Sequence, residues 1–198
     1  MLTQLLRPGN VYGGIRDVPR AWLDAELFRN GLKLLIVRDP RDALVSEYYS
    51  NAYSHPIPAQ NADHGEMAEI MLAQRKYAIA HPIDEYVVER ASALVRSIME
   101  YAVVARMPNT RMFRYEDVVF DKAGLIASIA RHFGWDAPAE AVKRILSRVD
   151  VRPDKEDPQA FVRQVTPGDH RRKLERATIA RLGELLWPAM NLLGYSVD

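Results

Sequence analysis

The sequence predicts an α/β chain with parallel strands, and three observations carry that reading. A continuous apolar run, Lys33-Leu-Leu-Ile-Val37, leads directly into a strongly capped helix. A second strand-like segment, Thr110-Arg-Met-Phe-Arg114, is reached only through a long amphipathic helix. Strands that alternate with helices in this way are joined by crossovers and lie parallel.

Each element has a local reason. Val11-Tyr-Gly-Gly-Ile15 reads as a short strand after the Pro8-Gly9 turn, and Asp17-Val-Pro-Arg20 leads into a helix near Ala21 to Phe28 that stops at Asn30-Gly31. Lys33–Val37 is apolar without alternation, the pattern of a strand buried on both faces. After it, Asp39 is placed as an N-cap and Pro40 at the first helical position, so a helix runs on through Ser50. Residues 54–65 form a turn-rich loop, followed by a further helix. From Asp84 to about Arg106 the apolar residues Val87, Val88, Ala91, Leu94, Val95 and Ile98 recur at threes and fours, giving one buried helix face. Thr110–Arg114 is a strand with Tyr115-Glu116-Asp117 at its C-terminal end. Asp121 caps a helix over Lys122–Phe133, another helix covers Pro138 to Ser147, and Asp150–Pro167 is irregular. The last helix runs from Ala177 to Leu193 and ends at Gly194.

Composition narrows the classes. The 198 residues are 48% hydrophobic and 27% charged, which places them with single-domain globular chains and excludes disorder. One domain over residues 1–198 is expected. With 27 Lys+Arg against 26 Asp+Glu, the near-zero net charge argues against a nucleic-acid partner. The absence of cysteine excludes disulfides, thiolate metal sites and a cysteine nucleophile. None of His55, His64, His81, His132 and His170 has metal-ligand spacing, so no metal is expected. There is no signal-peptide pattern at the N-terminus and no apolar stretch near the ~18 residues of a membrane span, so a soluble, cytoplasmic chain is expected. The basic residues are 21 Arg and 6 Lys. Arg suits the gripping of oxyanions through two parallel hydrogen bonds, although a codon bias towards Arg is the plainer reading of the ratio.

Two segments carry the chemistry. Arg38 stands where a parallel strand passes into a helix, the place where free helix N–H groups and a guanidinium can address one anion together. Ser46 lies a little over two turns further along that helix and can add a hydroxyl. The plainer reading is that Arg38 pairs with Asp39 or Asp42 and ties off the turn. The second segment is Arg163-Gln-Val-Thr-Pro-Gly168-Asp-His-Arg-Arg-Lys173, the start of a stretch to Arg181 with six basic residues against two acidic. A glycine turn flanked by arginines suits phosphate capture, and a solvated basic face is its plainer reading.

Taken together and in order, these segments resemble the PAPS-dependent sulfotransferase family, whose donor is 3′-phosphoadenosine-5′-phosphosulfate (PAPS). LLIVRDPRDALVSEYYS (34–50) is similar to that family's 3′-phosphate motif, and RQVTPGDHRRKL (163–174) to its C-terminal R-x-x-x-x-G-D loop. FRYEDV (113–118) resembles its strand-ending Tyr-Glu-Asp, and Leu193-Gly-Tyr195 its usual ending. The resemblance implies a three-layer, P-loop-like fold with a parallel sheet flanked by helices. It implies that Arg38, Ser46, Arg163 and Gln164 hold the donor's 3′-phosphate and that Tyr115 lies near the adenine. Glu116 and Asp117 are then structural. The family has Lys-Gly where this chain has Gln164-Val165, so one charge is missing.

The resemblance stops at the reaction centre. The family's Pro-Lys-Ser-Gly-Thr-Thr-like 5′-phosphosulfate loop has no counterpart; Pro8-Gly9-Asn10 and Gly13-Gly14 lack its Lys and its Ser/Thr series. The expectation is a fold that is incomplete at its N-terminus, either because the chain begins downstream of that loop or because the domain is degenerate. Asp17, before Val18-Pro19, occupies the place of the family's base and is the candidate for deprotonating the acceptor; capping the next helix is its other reading. Two functions therefore stand. One is transfer of a sulfuryl group from PAPS to a hydroxyl or amine of a small-molecule or carbohydrate acceptor, leaving adenosine 3′,5′-bisphosphate (PAP). The other is a non-catalytic remnant that binds PAP, another adenine nucleotide or a protein. A nucleotide kinase is disfavoured because G-x-x-x-x-G-K-[ST] is absent.

Overall fold

The computed structural model describes residues 6–15, 18–58 and 65–197. The chain divides into two compact units, Met1–Val37 with Val95–Val149 and Arg38–Leu94 with Asp150–Asp198.

The first unit holds the sheet. β1 (Lys33–Val37) and β2 (Thr110–Arg114) pair in parallel, from Lys33 opposite Thr110 to Val37 opposite Arg114. Asn109 enters β2 with φ 62°, a left-handed conformation that asparagine tolerates, and its side chain donates to the Asn30 carbonyl at 3.0 Å. Ahead of the sheet stand α1 (Arg20–Leu23) and α2 (Glu26–Asn30). The unit also holds the second part of α5 (Ile83–Arg106), the single turn α6 (Tyr115–Val118), α7 (Lys122–Phe133) and α8 (Ala139–Val149). α7 starts where Asp121 accepts from Gly124 N at 2.9 Å and ends in the left-handed Gly134. Lys33 is buried, and its Nζ donates to the carbonyls of Phe28, Arg29 and Gly31 at 3.1, 3.0 and 2.6 Å. Placing a cation at the C-terminus of α2 satisfies carbonyls that the helix leaves open. Burial pushes the Lys33 ammonium below its ordinary value.

The parallel strands and the α7 cap are as the sequence predicts, and three expectations are corrected. Residues 11–15 form no strand, because Gly14 takes φ 72° and breaks the extended path. The helix expected over residues 21–28 is two short turns, separated at Ala25, whose backbone is extended. Trp22 anchors the first turn against Tyr12 and Phe28, while Lys33 gathers the last carbonyls of the second. Third, β1 is not buried on both faces. Ile36 is 54% exposed, and the β1 side chains floor an open, mainly apolar groove of about 860 Å³ together with Trp22, Phe28 and Trp135. Among the described residues β1 has one strand neighbour, and the sheet is the two strands alone within a mostly helical chain.

The second unit is helical: α3 (Pro40–Tyr49), a π-helical turn (Ser50–Ser54), α4 (Gly65–Ala80), the first part of α5, α9 (His170–Lys173) and α10 (Arg176–Leu193). Its core forms where α10 presents Leu182, Leu186, Ala189, Met190 and Leu193, at helical spacing, to the fully buried Leu44 and Val45 of α3. Pro188 interrupts the bonding of α10 on its solvent side, opposite exposed Glu184. Asp84 accepts from Glu175 N at 2.9 Å and fastens the start of α10 to α5. No described helix is long and apolar enough to cross a membrane.

Burial contrast makes a direct test. Leu186→Ala is expected to cost about 2–5 kcal/mol in denaturant unfolding, whereas Ile36→Ala costs less than about 1 kcal/mol. Comparable losses at the two positions would contradict the open β1 face.

Candidate functional site

The sequence Arg38-Asp39-Pro40-Arg41-Asp42 starts α3 and divides its charges between two tasks. Asp39 caps the helix by accepting from Arg41 N at 2.9 Å, and it holds the Arg41 guanidinium at 3.1 and 2.7 Å. Arg41 also donates to the Ser196 carbonyl at 3.1 Å, so both residues are buried structural groups. Asp42 faces the other way. Its fully buried carboxylate accepts from Gly168 N at 2.6 Å, from His170 N at 2.9 Å, and from His170 Nδ1 at 2.6 Å. Nδ1 therefore carries a proton, and the imidazole is buried with it. Gly168 holds φ 80°, a left-handed position suited to glycine, and so turns two amides towards one carboxylate. Burial alone would raise the Asp42 pKa; the His170 hydrogen bonds, with that of Gly168, outweigh it and hold the carboxyl below its ordinary value.

This clamp lays the basic loop along one face of α3. Asp42, Ser46 and Tyr49 follow at helical spacing, and each end of that face meets the loop. Arg38 lies 3.9 Å from Asp42 at the near end. At the far end the Arg163 guanidinium lies 4.1 Å from the Tyr49 ring centroid, and Lys173 Nζ lies 5.3 Å from the same ring. Arg163 pairs with Asp169 and with Glu156. Asp169 is 1% exposed at its side chain and also accepts from Gln164 Nε2 at 2.5 Å and Arg172 at 2.7 Å. Burial would raise the Asp169 carboxyl, but the hydrogen bonds from Arg163 and Arg172 hold it low.

Behind α3, Tyr86 donates to Glu47 at 3.0 Å and accepts from Asn51 at 2.9 Å, while Arg90 reaches the same Glu47 oxygen at 2.7 Å. Burial, reinforced by the Glu47 charge, pushes the Tyr86 hydroxyl up to about 12. It therefore remains a neutral donor that ties α5 to α3.

Of the residues expected to hold an anion, Arg38 precedes α3 and pairs with its Asp42, Ser46 lies on α3, and Arg163 and Gln164 belong to the loop held against it. Tyr115 opens α6 in the other unit and is not among the residues these contacts gather. Asp17 lies outside the described residues. The pairing of Arg38 with Asp42 is present, and Asp39 holds Arg41. Sequence reasoning missed Tyr49, Glu156 and Lys173 as parts of this cluster. Lys173 and Tyr49 fall within the two basic-loop and helix motifs, but Glu156 has no local signal. The described residues contain no group of His, Cys, Asp and Glu able to hold a metal ion.

A family model described as the sulfotransferase domain matches residues 18–183. Compared with curated proteins and with solved structures, the chain shows no significant match.

Asp42 should contribute to the acid stability of this cluster. Asp42→Asn is expected to lose about 2–4 kcal/mol at neutral pH, since it leaves buried donors poorly matched. Because the folded carboxyl titrates below its ordinary 3.8, its contribution is complete above that value and is lost as pH falls through the lower folded value. Denaturant midpoints measured from neutral to acid pH should show that loss in the wild type and a flatter acid limb in Asp42→Asn. Parallel curves for the two proteins would refute the clamp.

Proposed function

The chain belongs to the sulfotransferase domain family, and from that membership and the loop held on α3 we propose that it binds PAPS by the 3′-phosphate and transfers its sulfuryl group to a hydroxyl or amine. The observation that carries the reading is the Asp42 clamp, which brings Arg163, Gln164 and the Gly168 turn to the helix that begins after Arg38. Phosphate would be gripped by the Arg38 and Arg163 guanidinium groups, with the Ser46 hydroxyl between them and Gln164 beside Arg163. Such charge-assisted hydrogen bonds are the strong ones, and a fork matches an oxyanion bidentately. The two guanidinium groups suit the nucleotide's 3′ end in charge.

In this reading the chain's residues fix one end of the donor, and sulfuryl transfer leaves PAP as the product. Tyr115 would lie beside the adenine, and Asp17 would take the acceptor's proton. The acceptor is a small molecule or a carbohydrate, and a chain without cysteine suits the reducing cytoplasm. The family's three-layer, P-loop-like arrangement of sheet and helices in one domain belongs to the same proposal.

A second reading, nucleotide binding without transfer, is favoured by one observation: the 198 residues contain no Pro-Lys-Ser-Gly-like turn to hold the 5′-phosphosulfate. Donors there stabilise the charge that develops as the group leaves. The two readings separate on turnover. Sulfate transfer from labelled PAPS by the 198-residue chain supports the first, and PAP binding without turnover supports the second.

Both readings require Arg38. Arg38→Ala is expected to weaken PAP binding by about 1.5–3 kcal/mol in titration calorimetry. Equal affinity in the variant and the wild type would remove the 3′-phosphate assignment.

A further inference from the structure

Arg163 is the residue of the basic loop best placed to grip a phosphate, and both arms of its fork are already engaged. One nitrogen meets Asp169 and the other meets Glu156. The two carboxylates are unlike. Asp169 has a side chain 1% exposed and is fixed from three directions, by Arg163, Arg172 and Gln164. Glu156 has a side chain 27% exposed and comes from the irregular segment before the loop. That segment turns back on itself, with Asp157 N donating to the Arg163 carbonyl at 3.1 Å.

Glu156 spreads its two oxygens over two cations, Oε1 on Arg163 and Oε2 on Lys173 at 2.7 Å. Both cations lie against the Tyr49 ring, the guanidinium at 4.1 Å and the ammonium at 5.3 Å from its centroid. A carboxylate bridging an arginine and a lysine over an aromatic floor presents two anionic oxygens to the same donors that a phosphate or sulfate would use. Burial alone would raise Glu156 and lower Lys173; their hydrogen bond reverses both, leaving the acid below its ordinary range and the amine above it.

We infer that Arg163 and Lys173, over Tyr49, form a phosphate-binding notch that Glu156 fills as an internal stand-in until a nucleotide phosphate displaces it. The inference rests on the reading of the α3 face as a nucleotide-phosphate site and adds two residues to it. Lys173 is a ligand of the phosphate, and Glu156 is its competitor. Displacement swaps one anion for another on the same cations, so the net binding energy of the phosphate is reduced by the loss of the Glu156 bridge. Glu156 is the more exposed partner of the Arg163 pair, so it, rather than the arginine, is the group that exchanges.

The test is titration of PAP into the 198-residue chain, with inorganic phosphate as a second probe. Glu156→Gln keeps the shape of a half-exposed side chain and removes its charge. It is expected to tighten PAP binding roughly three- to tenfold, in line with the strength of exposed ion pairs. Lys173→Gln is expected to weaken it by a similar factor, and Glu156→Gln made in the Lys173→Gln background to recover less than it gains alone. Thermal unfolding checks that each variant folds. PAP binding that depends on Arg38 but is unchanged or weakened by Glu156→Gln overturns the stand-in and leaves the phosphate site intact. No PAP or phosphate binding by the wild type or by Glu156→Gln overturns both.

Discussion

A single buried carboxylate organises the candidate site. Asp42 has no exposed surface, and it satisfies two backbone amides and one imidazole nitrogen from a loop more than a hundred residues later in the chain. A carboxylate that is out of water is costly unless its oxygens are bonded, so the loop and the helix hold each other in place. The left-handed Gly168 makes the double amide contact possible. Every other feature of the site lies downstream of this clamp, because it sets where Arg163, Gln164 and Lys173 meet α3.

The basic character of the loop is then handled by a small number of acids. Asp169 is buried and permanent, gathering Arg163, Arg172 and Gln164 into one arrangement. Glu156 is peripheral and bridges the two cations nearest the Tyr49 ring. A rigid carboxylate orients the arginine, while a more exposed one neutralises it. That division balances the cluster of cations with one buried acid and one more exposed acid. Tyr86, a neutral donor buried between Glu47 and Asn51, gives the helix beneath the cluster its second support.

Much of the fold was legible because its signals are local. The Asp39 and Asp121 caps, the amphipathic face of α5 and the glycine ends of α7 and α10 each depend on residues a few positions apart. The placement of Arg38 between a strand and a helix, and of Arg163 ahead of a glycine turn, was legible because both follow from neighbouring residues. What was not legible depends on tertiary contact. The burial of Lys33 under three carbonyls looks like the edge of an apolar run in sequence, and the exposure of Ile36 depends on what covers β1. Glu156 sits in a stretch with no periodicity, and only its contacts with Arg163 and Lys173 reveal it. The Gly13-Gly14 pair removed an expected strand because Gly14 takes a positive φ that breaks the extended path.

The central claim is that a nucleotide's phosphate sits between the start of α3 and the loop that Asp42 holds. Amide hydrogen exchange with and without PAP locates the ligand without assuming any residue's role. Slowed exchange is expected in the first turns of α3 after Arg38 and through residues 163–173, with little change along the groove floored by β1. Protection confined to that groove, or no protection anywhere under conditions where PAP binds, would contradict it.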